Sequence, residues 1–485
     1  MGKVTLDLER RAPGKPVPPP PKDLYAKRAQ IYPKLAHGKF RMVKWIVMAA
    51  TLGVYYLVPW IRWDRGAGAP DQAVLADFAG ERFYFFFIEI WPQEIYYLTG
   101  LLILAALGLF LVTSLFGRVW CGYTCPQTVW TDLFIWVERA FEGDRAARMR
   151  LDKAKLSFNK LWRKTGKHLV WILISFLTGG AFILYWHDAP TIAETFFIGQ
   201  APLSAYWFAA ILTGTTYFLA GAMREQVCTY MCPWPRIQGA LTDEHALNVT
   251  YRYTRGEPRA PMRKDTDWST RGDCIDCDQC VQVCPMGINI RDGAQLECIH
   301  CALCIDACDQ MMDKIGRPRG LIAYDTDHAV DAVARGEAPK YTFFRARTIL
   351  YSSLMLFIAG LMSFGLSTRA SFEINTLKDR SPPFVQLADG SLRNGYTLKL
   401  VNKTPDVRTM RIETSGLADA EIEIIGLEAD GSEAVLPVAA NGVDRFRILV
   451  TVPPGAIERR GQIIFTVTDT ETGESYTNRV SFRGP

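Results

Sequence analysis

Twelve cysteines carry the chemistry of this 485-residue chain, and they fall into two spacing patterns. Eight lie in one stretch as two copies of C-x2-C-x2-C-x3-C: Cys274, Cys277, Cys280 and Cys284, then Cys298, Cys301, Cys304 and Cys308. The other four form two copies of C-x3-C-P, with Cys121 and Cys125 in "VWCGYTCPQTVW" and Cys228 and Cys232 in "QVCTYMCPWPRI". Unrelated buried thiols would not repeat their spacing. Thiolates so arranged serve as ligands for iron-sulfur clusters, zinc or Cu(I), or cycle as dithiols.

The longer run has the spacing of two-cluster ferredoxins, in which three close cysteines wrap three corners of one 4Fe-4S cube and the fourth crosses to the other cube. The expectation is that Cys274, Cys277, Cys280 and Cys308 hold one cluster, and Cys298, Cys301, Cys304 and Cys284 the other. Crossed ligation keeps the cubes close enough for an electron to pass between them. Structural zinc also takes paired C-x2-C groups but does not require the doubled four-cysteine run. The second run departs from the pattern at Asp309, where a proline is usual. Asp273, Asp276, Asp278, Asp306 and Asp309 read either as solvated carboxylates or as an acidic skin that guides a basic redox partner. The module has its core at 270–312, inside a charged region, 236–347, whose flanks read as linkers and short helices.

In the shorter motif, an x3 spacing on a helix puts both sulfurs on one face, and the proline ends or restarts the helix. One fixed interval separates the two copies, and each follows an outward and an inward span, so this part reads as two repeats in the same orientation. Four thiolates then reach one depth, where they hold a further cluster, bind a copper ion, cycle as dithiols or serve structure alone. Met223, Met231 and His245 near the second pair could trace a copper path but read first as packing or surface; His168 and His187 at the ends of the third span could ligate haem or a quinone, although six histidines with no facing pair on two spans argue against a haem-spanning cytochrome.

The elements that position these cysteines are membrane spans. Hydrophobic residues make up 49% of the chain and charged residues 22%, in alternating blocks. Stretches long enough to cross a hydrocarbon core run over 42–60, 95–116, 168–186, 202–223 and 348–366. Lys44 near the start of the first is expected to snorkel. Residues 1–41, with "PGKPVPPPPK", read as a disordered basic segment. The loop 118–167 is rich in Lys and Arg whereas 187–201 has neither. The N-terminus and the ferredoxin module are therefore expected in the cytoplasm and the chain after Leu366 outside. All twelve cysteines then lie on the reducing side. This topology accounts for the net charge of +5, leaving no separate case for nucleic acid. The aromatic run "ERFYFFFIEIWPQEIYY" reads as an interfacial belt, with a quinol pocket as the alternative.

The domain reading is thus a membrane domain, 42–235, a cytoplasmic domain, 236–347, a fifth helix, 348–367, and an outer domain, 368–485. In the last, alternating segments such as "TLKLVNKT" and "RFRILVTVPPG" predict an antiparallel immunoglobulin-like sandwich. Its default role is docking to a partner or holding an oligomer, a homodimer among them. No G-x-G-x-x-G fingerprint appears, so the electron donor is a separate reductase or a membrane quinol.

The order of C-x3-C-P, C-x3-C-P, two-cluster ferredoxin, span and sandwich resembles the CcoG/FixG/RdxA family of cytochrome c oxidase accessory proteins. The resemblance implies a polytopic α-helical membrane protein of five spans, with an inserted two-cluster ferredoxin-like module and a C-terminal all-β immunoglobulin-like sandwich. It implies a bacterial inner-membrane protein, surrounded by lipid, that reduces Cu(II) to Cu(I) during assembly of the cbb-type oxidase. Copper ion is then the substrate, assembly factors and copper chaperones the partners, and Cys121, Cys125, Cys228 and Cys232 the catalytic candidates. The alternatives are a quinol-linked electron-transfer subunit of a respiratory reductase, and a redox-sensing assembly scaffold without turnover.

Overall fold

The structure is a computed structural model that describes residues 30–66, 69–262, 267–427, 429–430, 433–455 and 460–484; the run "PGKPVPPPPK" lies outside them. The chain forms two compact units, one of Met1–Ile61 with Gln72–Met362, the other of Arg62–Asp71 with the chain from Ser363 onward. The short segment after the first span therefore groups with the C-terminal unit, which no local pattern in the sequence announces.

Five helices of the described residues are long and apolar enough to cross a membrane: Lys39–Trp60, Pro92–Phe116, Phe158–Ile183, Leu203–Met223 and Ala346–Ser367. The third starts at Phe158 rather than near His168. Ser157 caps it by accepting the Lys160 N–H at 3.2 Å, so a basic leading segment that hydropathy alone discards becomes helical. The fourth changes from α to π winding over Tyr217–Met223 and ends at Arg224, whose φ is +48°.

The ferredoxin module lies at one end of this bundle. Asp306 accepts the N–H groups of Phe40 and Arg41, at 3.2 and 2.7 Å, and so caps the first span with a carboxylate from a distant element. Residues 30–38, expected to lack structure, instead lie against this end: Lys34 N–H donates to the Gln282 carbonyl at 2.8 Å, and Tyr32 donates to Asp152 at 2.7 Å. The helix Pro126–Glu142 carries buried Asp132 and Glu138. Lys44 does not snorkel; it is buried, 3.7 Å from Asp132, which Arg41 also meets at 2.9 Å.

At the opposite end the aromatic run is not a simple belt. It belongs to a three-stranded antiparallel sheet of β1 (Val74–Asp77), β2 (Arg82–Phe85) and β3 (Ile88–Ile90). Tyr84 and Trp91 are buried, Phe85 and Phe87 are exposed, and Arg82 stacks 3.8 Å from the Trp91 ring. Strands of three or four residues are too short to show alternation above an aromatic background.

The ferredoxin flanks also pair, β4 (Asn248–Tyr251) antiparallel to β5 (Ile322–Asp325), closing the module on both sides. In the second unit, β6 (Phe372–Lys378), β7 (Val385–Gln386), β8 (Leu392–Asn402), β10 (Glu421–Ile424) and β13 (Gly442–Val452) make one sheet. The other contains β9 (Arg408–Ser415), β11 (Ala429–Asp430), β12 (Glu433–Val438), β14 (Arg460–Asp469) and β15 (Ser475–Arg483). Inward residues of both, among them Leu398, Ile412, Ile448 and Phe465, form one apolar core, and buried Tyr396 satisfies its hydroxyl on the Ser481 carbonyl at 3.1 Å.

Candidate iron-sulfur and thiol centres

The two ferredoxin runs take one backbone course. Asp276 and Asp278 stand two and four residues after Cys274, and His300 and Ala302 stand at the same places after Cys298; all four have φ between +52° and +59°. Left-handed residues between ligands curl the chain round a common centre, a conformation that costs free energy unless the surroundings hold it. Each run then enters a helix, Gln279–Gln282 or Leu303–Lys314.

Two apolar cavities result. Cys274, Cys277, Cys280 and Cys308 line one, with Tyr251, Met312 and Leu321 in its wall. Cys284, Cys298, Cys301 and Cys304 line the other, where Cys280 also reaches, with Val249, Met286 and Ile299 in the wall. The fourth cysteine of each run thus faces the other run's cavity. Backbone N–H groups of Met286, Gly287 and Ile288 are directed at Cys284, and that of His300 at Cys298. Burial pushes the thiols of Cys284 and Cys298 up to about 12 and that of Cys280 up to about 11, so these donors need a cationic centre to ionise. Four sulfurs round an apolar cavity with amides turned to them fit a 4Fe-4S cube. Among the described residues no three Cys, His, Asp or Glu side chains converge as a single zinc ion would require.

Asp273 and Asp306 are buried and belong to no acidic skin, whereas Asp276 and Asp278 stay exposed while paired with Arg291. Asp273 is buried and meets Arg255 at 2.9 Å and also Arg317. Arg291 engages Asp276 at 2.6 Å and also Asp278. Asp309 accepts the Gly320 N–H at 2.8 Å, and Asp306 caps the first span.

The C-x3-C-P copies keep their repeat in three dimensions. The second span ends at Gly117 with φ +57° and the fourth at Arg224 with φ +48°, which stand at equivalent positions. In the first copy Cys121 lies in the helix Val119–Tyr123, while Cys125 precedes Pro126, the first residue of the next helix. In the second, Cys228 lies in the π-wound turn Val227–Met231 and Cys232 is extended before Pro233. The two cysteines of a pair therefore do not share one helix face, contrary to expectation; the proline restarts the helix between them and the following element. Cys121 and Cys228 lie within electrostatic reach of each other and of both Cys125 and Cys232. Cys121 is buried, Cys125 and Cys228 are half-buried, and Cys232 is exposed. Burial pushes Cys121 up to about 11, and burial followed by the neighbouring thiolates pushes Cys228 up to about 12. Met231 is exposed, His168 bonds Tyr217 at 2.9 Å, and the His245 ring lies tilted against that of His328 at 4.7 Å.

The first copy touches the ferredoxin module directly. Cys121 shares an apolar cluster with Ile299, Cys301 and Cys304. The Tyr123 hydroxyl donates to the Cys301 carbonyl at 3.2 Å. A Cβ on Gly122 would stand 2.6 Å from the Ile299 carbonyl oxygen and 3.0 Å from the Cys301 backbone. Alanine at Gly122 is expected to push these backbones apart and cost about 1–3 kcal/mol; a thermal shift of the detergent-solubilised variant equal to wild type would refute that. Sequence reasoning passed over Gly122, Tyr123, Arg118 and Gln238. The one available signal was a glycine directly after a cysteine, a common mark of close backbone approach.

Three family models match the chain: a 4Fe-4S binding domain over residues 98–142, a 4Fe-4S dicluster domain over 223–327, and the IG-like fold at the C-terminal of FixG over 362–485. The Rhizobium meliloti nitrogen fixation protein FixG is 51% identical over 461 residues, 89% of this chain and 88% of its own. This chain belongs to the FixG/RdxA family. Protein RdxA of Cereibacter sphaeroides, at 48% identity, covers 91% of the chain and 93% of its own length. A crystal structure of a FixG-related protein from Vibrio parahaemolyticus aligns with 24% of the chain and 97% of its own, at 21% identity and a TM-score of 0.20. As a FixG/RdxA member the chain is a membrane iron-sulfur protein of electron transfer, with two 4Fe-4S clusters and redox activity.

Proposed function

We propose that this chain reduces Cu(II) to Cu(I) during assembly of the cbb-type cytochrome c oxidase. The observation that carries the reading is the close approach of Gly122 and Tyr123 to Cys301, which joins the C-x3-C-P thiols to the ferredoxin module. Cys274, Cys277, Cys280 and Cys308 hold one cluster; Cys284, Cys298, Cys301 and Cys304 hold the other, beside Cys121. When bound, the clusters supply single electrons. Cys232, the exposed thiol, meets copper first, and Cys121, the buried one, faces the electron source. Soft thiolates favour Cu(I) over Cu(II), which raises the copper potential and makes the transfer downhill from a low-potential cluster. One electron converts one Cu(II) to Cu(I), and a separate reductase or membrane quinol replaces it.

The ferredoxin module and the N-terminus are assigned to the cytoplasmic side of the inner membrane and the sandwich to the periplasm, on the Lys and Arg bias of the loops. A reporter active only in the periplasm should be active when fused to the C-terminus; a dark fusion would reverse the assignment.

Dithionite-reduced protein should be reoxidised by Cu(II). Serine at Cys121 and Cys125 together should abolish this while both clusters still bleach with dithionite. Reoxidation by a quinone and not by Cu(II) would favour a quinol-linked subunit. Full copper reduction without all four thiols would move the site elsewhere.

A further inference from the structure

Between the two sets of thiols lies a buried cation. Arg118 precedes the helix of Cys121 and is 5% exposed. Its Nε donates to Gln238 Oε1 at 3.2 Å, its Nη1 donates to the Leu296 carbonyl, and its backbone N–H donates to His300 Nδ1 at 2.9 Å. Gln238, fully buried and held by Thr113 at 3.3 Å, accepts from the Cys121 thiol at 3.2 Å through the same oxygen. Among the described residues, the imidazole, amide and carbonyl that Arg118 donates to are neutral. A buried guanidinium with neutral partners is costly unless negative charge lies close. Sulfurs lie within its electrostatic reach, Cys121 and Cys228 on one side and Cys298 on the other, along with the His300 imidazole. Position 225, which matches 118 in the second repeat, is Glu225, so the internal symmetry is broken in sign where the two modules meet.

We propose that Arg118 is the shared counter-charge of the two thiol centres, stabilising negative charge on the Cys284/Cys298/Cys301/Cys304 side and on the C-x3-C-P side alike. It rests on the copper reading for the identity of the second centre. Arg118 touches no substrate and is a positioning residue. A metal centre held by four thiolates is anionic, and each added electron makes it more so. A cation between two such centres favours the reduced state of both, so transfer does not leave an electron stranded on either. A cluster held by Cys284, Cys298, Cys301 and Cys304 would supply the one electron that converts Cu(II) to Cu(I), and the Arg118 charge stays beside both sets of thiols.

The test uses full-length R118Q and R118K in detergent, with iron content, cluster midpoints by EPR-monitored titration, and Cu(I) affinity by competition with bathocuproine disulfonate. In R118Q one cluster midpoint should fall by the equivalent of about a tenfold change in the oxidised-to-reduced ratio, about 59 mV for one electron. Cu(I) affinity should fall about tenfold as well, the scale of one partly screened charge at short range. R118K, which keeps the charge and loses the planar fork, should restore both. Unchanged values in R118Q overturn the proposal, as does a change on one side only. If R118Q does not assemble its clusters, R118K decides: wild-type values support a role for charge, and a loss on both sides overturns it. Wild-type protein that leaves Cu(II) unreduced would sink the copper function, whereas unchanged R118Q would sink the counter-charge alone.

Discussion

Serine at Cys284 is expected to remove the cluster of the second run while sparing that of the first, lowering iron from about eight atoms per chain to about four. Cys284 follows Cys280 in sequence, yet it lines the cavity of Cys298, Cys301 and Cys304. The amides of Met286, Gly287 and Ile288 are directed at its sulfur, so the loop after Pro285 is shaped to hold charge there. A serine oxygen is a harder, shorter ligand and does not replace a thiolate in that cradle. Cys308→Ser is the mirror experiment, since Cys308 lines the cavity of Cys274, Cys277 and Cys280. Iron analysis and EPR of the dithionite-reduced variants check both. Loss of the first run's cluster in Cys284→Ser, or full iron content, would refute crossed ligation.

Glutamine at Glu138 should destabilise the membrane unit by about 3–5 kcal/mol, the usual cost of stripping one partner from a buried charge network. Glu138 is buried and meets Arg148 at 2.8 Å, Arg224 at 3.1 Å and Lys167 at 3.4 Å. Burial alone would raise its carboxyl, but Arg224, Lys167 and Arg148 outweigh burial and hold it down at about 2. Because the folded value is depressed, the stabilisation is present above the unfolded value of about 4.3 and is lost as pH falls through about 2. Thermal scans in detergent should therefore show acid labilisation below about pH 4 in the wild type that is weaker in E138Q. Equal melting temperatures at neutral pH would count against the network. The effect reaches the thiols as well. Arg224 holds a positive φ that a non-glycine residue adopts at a cost, four residues before Cys228, and Glu138 is one of its restraints.

The sequence by itself determined whatever depends on spacing along the chain. Ligand intervals pick out the cluster type because a cube's corners lie a few residues apart, and the fourth cysteine of each run lines the cavity of the other run, with Cys280 reaching both. Span length reflects membrane thickness, and alternation in the sandwich reflects the two faces of a strand. Tertiary structure decided whatever depends on residues far apart in sequence. Lys44 reads as an interfacial lysine until Asp132 arrives beside it. Asp273 and Asp306 read as surface charge until Arg255, Arg317 and the end of the first span take them up. Nothing near Cys121 names Cys301 as a neighbour. A glycine makes that approach sterically allowed, but where two backbones meet is a matter of packing between elements, and no periodicity along one segment encodes its partner. The same holds for Arg118: its charge is visible in the chain, while its burial between two sets of thiols exists only in the folded protein.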